Sequence, residues 1–399
     1  MPSDLTTMAH IFKRRYAGRK AQAITERDHV RWKKLKKKGG FTGQDFAYHI
    51  LTGNPQSVGG IYANNRTNVE TSKGKQPVAV RREKTSVIQL QWQAILASEG
   101  DDGAFYDLVT RESDGVFIEF GDRLAFDSYR DGTGQRGKIS NISSNIITLT
   151  VADDVRNFKE GMTVMADDTA SGVSPRVGTT KVLSVSGSNT ITLVSAAAIA
   201  SLSVNDFLFA DGDPGTCMDG LAACTPTTEP TAGDSFRGMD RSVNVPRLSG
   251  SRIADTNSTI EENLGLGAIK CNQVGVMHTP TDAYLNPVNF FQVARRQGSK
   301  VMYTSDVTRA NIGFQYIDIT TATGTMRVYS DPDCPTTLGY GENPADDYVK
   351  YLGEAVPHVV MNGKEPMILQ TDALQYQSSG AAFLNYIQEN PAAHFVITI

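Results

Sequence analysis

The spacing of apolar residues predicts extended and helical elements in the first third of the chain. Residues 61–92 alternate apolar and polar positions, which predicts a two-stranded ribbon with a polar tip around Gly74. Residues 101–126 carry apolar side chains at three- and four-residue spacings and predict a long helix that Asp101 or Asp102 can cap. Because an isolated ribbon is marginal in water, it needs a partner surface, either its own chain's body or another subunit.

Residues 138–213 are rich in Ser, Thr, Val, Ile and Gly, and they contain an internal repeat. The matching pieces, 43 or 44 residues apart, are 138–140 with 181–183, 145–149 with 189–193, and 165–167 with 209–211. Each copy supplies about three short strands, so the two copies predict a small closed barrel or sandwich. Glycine-rich edges at 132–137 and 212–215 mark it as a module inserted into a larger domain.

The second half of the chain shows helical patterns with clear ends. Ser258-Thr259-Ile260-Glu261 has the capping pattern of a helix start, and one apolar face follows it: Ile260, Leu264, Ala268 and Cys271. Thr279-Pro280-Thr281-Asp282 predicts another helix start, which Asn286-Pro287 must break or kink. Arg295-Arg296 and Gly298 are typical of the C-terminus of that helix.

The last residues read as strands. Residues 383–388 and 394–399 are extended patterns joined by a turn at Asn390-Pro391. The second pattern is apolar up to Ile399. We therefore expect the C-terminus to be tucked into the fold.

Charge is divided unevenly along the chain. Residues 1–98 contain 18 Lys and Arg against 6 Asp and Glu, whereas residues 99–399 contain 21 against 37. A cationic leading segment on an acidic body indicates an arm that reaches nucleic acid or the acidic face of a neighbouring copy. The densest part, residues 31–40, cannot form a core of its own, so the alternative is a solvated, partly disordered leader.

Composition is that of a folded soluble protein, with 40% apolar and 21% charged residues over 399 positions. This length predicts two or three substructures. No stretch approaches the roughly 18–20 apolar residues of a membrane span, and residues 1–10 do not resemble a secretion signal. The four Cys are irregularly spaced, which indicates reduced thiols and argues against a disulfide framework or a zinc site.

Motifs for chemistry are weak throughout. Residues 132–137 have the spacing of a dinucleotide-binding glycine loop, but a helix pattern precedes them and a β pattern follows, so a domain junction is favoured. The acids of 211–219 lack the remaining ligands of a calcium loop, and a turn is favoured there. Residues 233–238 miss the nucleophile-elbow spacing by one position. The sequence therefore predicts no catalytic site, no metal site, no cofactor and no enzyme.

The order of the parts resembles that of the major capsid protein of tailed bacteriophages, whose shell fold is shared with herpesviruses. The parts are a basic arm, a ribbon with a Lys/Gly tip, a long helix, an inserted β module, an α+β body and C-terminal strands. Residues 100–109 look like the start of that family's spine helix. Residues 278–285 look like an axial-domain helix, and residues 326–335 look like the strand and Pro turn that lead back to the periphery.

The resemblance implies an α+β protein with the tailed-phage capsid fold. Its expected divisions are a basic N-terminal arm (1–58), an extension-loop ribbon (59–92), a peripheral domain with the spine helix (93–131 and 366–399), an inserted β-barrel-like module (132–213) and an axial domain (214–365). The inserted module belongs to only some relatives, and it could lie on the outer surface, brace neighbouring subunits or help folding. No acidic helical scaffolding segment is present, so any scaffold would be a separate protein, or the chain is the mature form.

The implied function is structural. The resemblance implies self-assembly into hexamers and pentamers of an icosahedral shell around double-stranded phage DNA. It implies a virion capsid assembled in the host cytoplasm, with portal, scaffold or decoration proteins as further partners and no membrane. The candidates for contact with a neighbour or with DNA phosphates are Arg31, Lys33, Lys34, Lys36, Lys37 and Lys38. At the ribbon tip, Lys73 and Lys75 are intersubunit candidates, since some relatives cross-link a tip Lys to a neighbouring Asn.

Two other function classes stay open at this point. One is a nucleic-acid-binding protein with a basic arm, although basic surfaces interleaved with aromatic residues are missing outside the leader. The other is a hydrolase whose repeat module binds carbohydrate, which would need a convergent acidic cleft.

Overall fold

A computed structural model describes residues 29–93, 108–255, 257–275, 279–297, 316–353, 358–360, 368–369 and 374–399. The helices within these ranges are α1 (Val30–Lys34), α2 (Tyr62–Thr67), α3 (Leu108–Asp127), α4 (Leu221–Cys224), α5 (Val245–Ser249), α6 (Ile260–Gln273) and α7 (Pro287–Gln297). The predicted start of the long helix at 101–107 lies outside the described residues.

The strands fall into two groups along the chain. Those before residue 211 are β1 (Lys36–Lys38), β2 (Asp45–Ala47), β3 (Ile50–Gly53), β4 (Lys73–Lys75), β5 (Val78–Val80), β6 (Arg82–Gln91), β7 (Gln135–Ser143), β8 (Ile146–Leu149), β9 (Thr163–Asp167), β10 (Thr180–Val185), β11 (Thr190–Leu193) and β12 (Phe207–Ala210). Those after it are β13 (Ser235–Phe236), β14 (Met239–Asp240), β15 (Ser251–Ile253), β16 (Asp282–Leu285), β17 (Tyr316–Thr321), β18 (Gly324–Ser330), β19 (Leu338–Glu342), β20 (Asp347–Leu352), β21 (His358–Val360), β22 (Ile368–Leu369), β23 (Gln375–Gln388) and β24 (Phe395–Thr398).

The first sheet is built around β23, which at 14 residues is long enough to hold several partners. Strand β6 pairs antiparallel along one edge, from Gln375↔Gln91 to Leu384↔Arg82. Strands β20, β21 and β22 pair antiparallel along the opposite edge. Strand β1 then extends the sheet by pairing in parallel with β20. A stretch of three consecutive lysines is therefore an edge strand.

The second sheet has the order β15-β24-β19-β16-β18-β17. Helix α6 packs on it and begins with a capping box, in which Thr259 accepts from the Glu262 N–H and the Glu262 side chain accepts from the Thr259 N–H. Its predicted apolar face, from Ile260 to Cys271, is buried as expected. Packing is close enough that a Cβ added at Gly341 would lie 2.1 Å from the ring of Phe395.

The inserted module is a closed barrel with the strand order β10-β11-β8-β7-β12-β9, so the sequence prediction of a small barrel is confirmed. The repeat copies correspond to β7–β9 and β10–β12. Each copy gives its last strand to the other, because β9 pairs with β10 and β12 pairs with β7. Two equivalent 2.8 Å hydrogen bonds relate the copies: Leu149 N–H to the Asn189 carbonyl, and Leu193 N–H to the Asn145 carbonyl. Fully buried aliphatic side chains fill the interior.

One core joins helix α3 to both sheets. It contains Phe120 and Leu124 of α3, Leu384 and Tyr386 of the first sheet, and Tyr340 of the second. The prediction that β23 and β24 end the chain as strands is confirmed, but they belong to different sheets. Residues 366–399 thus contribute to both sheets, and the division into domains stays a prediction. No helix within the described ranges is long and apolar enough to cross a membrane.

Two predicted elements are wrong. Residues 282–285 form the fully buried strand β16 between β18 and β19, so the helix starts only at Pro287, where the Asn286 side chain caps the Val288 N–H at 3.1 Å. The ribbon is made of β2 with β5 and β3 with β4, not of two strands within 61–92. Alternation identified strands there, but it does not specify which strands pair.

Candidate functional site

Residues 29–41, the N-terminal segment, lie on the body of their own chain. Trp32 of helix α1 and Leu35 directly after it pack into the core shared by the two sheets, and β1 follows at the sheet edge. The Phe41 N–H donates to the carbonyl of Tyr351 at 3.0 Å. The alternative of a solvated leader is therefore wrong for these residues, and residues 1–28 lie outside the described part of the chain.

Arg31 is 0% exposed, so the assignment of this residue to a DNA-facing or intersubunit surface is wrong. Its Nε donates to Glu342 Oε2 at 3.0 Å and its Nη1 donates to the carbonyl of Ser128 at 2.8 Å. Its guanidinium carbon lies 5.3 Å from the ring centre of Tyr129 and 5.0 Å from that of Tyr386. A buried arginine needs such contacts, because an unpaired buried charge is strongly destabilising.

Glu342 belongs to a buried ionic cluster that sequence reasoning missed. Its carboxylate, that of Asp347 and the ring of His394 offer ligand atoms within 4.8 Å of one another. His394 Nε2 lies 2.7 Å from Asp347 Oδ2, and its Nδ1 lies 2.9 Å from the Asn390 carbonyl. Both neighbouring atoms are oxygens; burial opposes a charge on the ring, but Asp347 raises the pKa of His394. Two carboxylates and one imidazole at this spacing could hold a metal ion. In this structure, however, Glu342 is paired with the guanidinium of Arg31.

Burial raises the pKa of Glu342 above its ordinary value, and Arg31 opposes this effect. Burial also opposes the charge on Arg31, but Glu342, Tyr386, Tyr129 and Asp347 together outweigh this effect and keep the pKa of Arg31 above its ordinary value. Arg31 thus pairs with Glu342, and His394 pairs with Asp347. No local motif signals this cluster, because its members Arg31, Glu342, Asp347 and His394 come from distant parts of the sequence.

His29 begins the segment with a second buried ionic contact. Its Nε2 lies 2.8 Å from Asp122 on α3, and its Nδ1 lies 2.5 Å from Asp333. Burial would lower the pKa of His29, but hydrogen bonds to Asp122 and Asp333 raise it to about 9. Burial likewise opposes the ionised form of Asp122, but His29 and Lys159 lower the pKa of that carboxyl to about 2.

The His29 contacts predict an alkaline loss of stability. The folded pKa is about 9 against an ordinary 6.5, so the contribution is complete below 6.5 and disappears as pH rises through 9. We expect His29→Gln to lower the free energy of unfolding by about 2 kcal/mol at pH 6 and by much less at pH 9.5. Chemical unfolding at both pH values measures this difference. The exposed His49 gives the matched control, His49→Gln, for which a difference of the same size would refute the assignment.

The other basic candidates differ in exposure. Lys34 forms an ion pair with Asp282 and lies 3.6 Å from the ring centre of Tyr329, so it too is engaged within its own chain. Four lysines have exposed side chains: Lys33, Lys36, Lys37 and Lys38. Lys37 also donates to the Trp32 carbonyl, and Lys38 lies 3.6 Å from the ring centre of Tyr348. Contact of these four with a neighbour or with DNA stays a prediction.

The ribbon joins the first sheet where its strand β5 is followed, after the single residue Arg81, by strand β6 of that sheet. Its tip, residues 54–72, carries helix α2 and a set of exposed apolar side chains. These are Val58 at 97% exposure, Tyr62 at 80%, Val69 at 67% and Ile61 at 61%. Apolar patches on a soluble chain indicate a surface that another molecule covers.

Lys73 and Lys75, assigned to the tip from the sequence, lie in strand β4 where the ribbon re-enters its paired region. Lys73 forms an exposed ion pair with Glu70 at 2.5 Å. Hydrogen bonding to Lys73 lowers the pKa of Glu70. Their contact with another subunit stays a prediction.

Lys84 on β6 lies in a third ionic cluster, where the barrel joins the body. Its Nζ is 3.0 Å from Asp127, 2.8 Å from Asp213 and 3.1 Å from Cys217 Sγ. Asp213 also accepts from Arg136 at 3.1 Å, so it connects the barrel to the first sheet. A cavity of about 380 Å³ opens beside Lys84, between α3 and β6.

These pairs explain the weak motifs of the sequence. Asp213 and Asp219, considered for a cation loop, are neutralised by lysine and arginine side chains. Residues 132–134 lie between α3 and β7, so the glycine loop is a junction, with Gly132 and Gly134 at positive φ. The four cysteines are buried and free, as expected of reduced thiols.

No family model and no curated protein matches the chain. Solved capsid structures do match it along almost its whole length. The cyanophage A-1(L) capsid has a TM-score of 0.54 at 12% identity, covering 93% of this chain and 92% of that one. The capsids of the native and the empty GTA particle have TM-scores of 0.52 and 0.51 at 7% and 8% identity, each covering 96% of this chain and 94% of that one. The chain therefore has the tailed-phage capsid fold, and the resemblance stated from the sequence is confirmed at the level of the fold.

Proposed function

We propose that this chain is a structural major capsid protein that assembles into hexamers and pentamers of an icosahedral shell around double-stranded phage DNA. The observation that carries the proposal is the ribbon, whose apolar tip has no cover within the described part of its own chain. Val58 and Tyr62 are 97% and 80% exposed there. Burying an apolar side chain of this size stabilises a contact by roughly 1.5–3 kcal/mol, so the tip favours association with another copy.

In a closed lattice the same weak contact between subunits is repeated many times, so the total stabilisation is large. Each subunit contributes one tip and receives one, so the same small gain is repeated around every capsomer and shell. The two-stranded ribbon is short and projecting, which is a liability for a lone subunit and is suited to reaching a neighbour. This role needs no catalytic group or cofactor, and we assign none.

The first experiment is negative-stain electron microscopy of the recombinant full chain, with light scattering on the same sample. Closed shells, tubes, or rings of five or six subunits are the expected result. A monomer or small dimer at high concentration, unchanged by salt or by an added scaffold protein, would overturn the proposal. Tight, salt-sensitive binding of nucleic acid by such a small oligomer would favour the basic-arm nucleic-acid-binding protein instead.

The proposal includes the packaged DNA as a non-specific partner and the exposed lysines Lys33, Lys36, Lys37 and Lys38 as its contacts. Neutralising phosphates releases counterions, so affinity for duplex DNA should fall steeply between 50 and 200 mM salt, by about tenfold or more. Fluorescence anisotropy with a labelled duplex measures this, and the quadruple Lys→Gln variant should lower the salt slope. A flat salt response would exclude DNA and leave a neighbouring subunit as the partner. Lys73 and Lys75 are proposed as contacts to an adjacent subunit, in a virion assembled in the host cytoplasm.

A further inference from the structure

The chamber that receives Arg31 has the chemistry of a guanidinium site. Glu342 and the Ser128 carbonyl accept from two different nitrogens of the fork. The rings of Tyr129 and Tyr386 both lie about 5 Å from the guanidinium carbon. These walls come from the turn that follows α3 and from both sheets, so the chamber exists only in the folded body of the chain. Arginine is suited to such a place because its planar guanidinium stacks face-on against rings while it donates from several nitrogens in a fixed fork, whereas a lysine ammonium is a compact point charge without a planar face.

We propose that this chamber is a guanidinium receptor that latches the N-terminal segment onto the body, so that Arg31 fixes the segment and the exposed lysines around it do not. Anchoring extends from the side chain to the backbone, since the Arg31 N–H donates to Asp331 Oδ2 at 2.8 Å. Tyr129 donates to the same carboxylate oxygen at 2.9 Å. The proposal is independent of shell assembly and concerns the single subunit.

Selectivity follows from the charges that face the chamber. Glu342 and Asp347 are acidic; His394 Nε2 lies 2.7 Å from Asp347, and Arg31 is the cation that pairs with Glu342. Three buried polar atoms within it have no hydrogen-bond partner: Arg31 Nη2, Asp347 Oδ1 and Tyr386 Oη. Asp347 Oδ1 is thus an acceptor that the chamber leaves unused, and Arg31 Nη2 is a donor that finds no acceptor there. A divalent cation is the competing occupant, because the carboxylates and imidazole also have metal-ligand chemistry.

Release of the latch would also detach β1 from β20. Residues 36–38 hold the outer edge of β20 in parallel register, from Lys36↔Tyr348 to Lys38↔Lys350. An uncovered edge strand pairs readily with another chain. The latch thus protects an edge of the first sheet and also neutralises the buried carboxylate of Glu342.

Trypsin reports the latch in the unassembled full chain, because cleavage at 33–38 requires the segment to leave the body. Arg31→Ala should raise the rate of cleavage that produces new N-termini at residues 34–39 by at least about tenfold. Lys36→Gln removes the same charge and one tryptic site from an exposed position, and it should leave the rates of cleavage after Lys33, Lys34, Lys37 and Lys38 unchanged. Arg31→Lys covers the case in which Arg31→Ala does not fold: a wild-type cleavage rate in Arg31→Lys would overturn the proposal.

Chemical rescue tests the receptor itself. About 20 mM guanidinium chloride, far below denaturing concentrations, should raise the melting temperature of Arg31→Ala by a degree or more relative to the same concentration of NaCl. Wild type, whose chamber is filled, should show no rise, and neither should Arg31→Ala/Glu342→Gln. Rescue by Zn²⁺ but not by guanidinium would overturn the proposal in favour of a metal site. Absence of rescue by either cation would overturn it as well.

Discussion

The double substitution Val58→Asp/Tyr62→Asp in the ribbon tip is expected to abolish shell formation while the subunit remains folded. Both side chains are almost fully exposed, at 97% and 80%, so the isolated subunit loses little on substitution. In an assembled contact, the change removes about 1.5–3 kcal/mol of apolar burial per side chain. It also forces two carboxylates out of water without partners, which costs more.

The effect is large because a shell repeats the contact in every subunit. Light scattering and negative-stain microscopy measure assembly, and circular dichroism with thermal unfolding measures the fold. The barrel supplies a matched control, Val173→Asp/Val177→Asp, in which two valines that are each 80% exposed lie in the loop between β9 and β10. Shells from the control but not from the tip variant are expected. Equal assembly of the tip variant and wild type would contradict the role of the ribbon.

The barrel shows how far sequence can predict a fold. The repeat at 43–44 residues marks equivalent strands, and the Ser, Thr, Val, Ile and Gly content of residues 138–213 favours short strands. These two signals predicted a small barrel or sandwich. They did not reveal that β9 of the first copy pairs with β10 of the second, or that β12 of the second pairs with β7 of the first. Such pairings join strands that are far apart in sequence, and a local pattern does not specify them.

Strand β16 shows where local patterns mislead. Thr279-Pro280-Thr281-Asp282 has the residues of a helix start, but the following Ala283-Tyr284-Leu285 is fully buried between two strands. Burial on both faces favours a central strand over an amphipathic helix. The helix begins instead seven residues further on, where Asn286 and Pro287 start α7. Tertiary context thus overrode a local signal.

The N-terminal segment shows the limit of charge as a predictor. Its density of lysine suggested an arm that reaches outward, and the four exposed lysines are consistent with that expectation. Arg31 and His29, however, find acidic partners about 90 to 310 residues away in sequence. Net charge predicts the sign of a partner but not whether it lies in the same chain. No signal in a single sequence distinguishes Arg31 from the lysines beside it.

The cluster around Lys84 predicts the largest single-residue effect on stability. Lys84 is held between Asp127 and Asp213, and the exposed fractions of these side chains are 11%, 2% and 6%. Burial opposes the charge on Lys84, but the two carboxylates raise its pKa well above the ordinary value. Removing one partner from a buried ionic cluster costs about 3–5 kcal/mol, because the remaining charges are left in a poorly solvated site.

Lys84→Met is therefore expected to lower the free energy of unfolding by about 3–5 kcal/mol at pH 7, measured by urea unfolding. Lys159→Met is the matched control, since Lys159 also contacts two carboxylates, Glu119 and Asp122, but is 39% exposed. A loss of about 1 kcal/mol or less is expected there. The deficit of Lys84→Met should shrink at pH 5, because the carboxylates left without Lys84 take up protons more readily in the folded chain. Equal losses in the two variants, or a deficit that grows on acidification, would contradict the assignment of Lys84 as the buried counter-ion that joins the barrel to the first sheet.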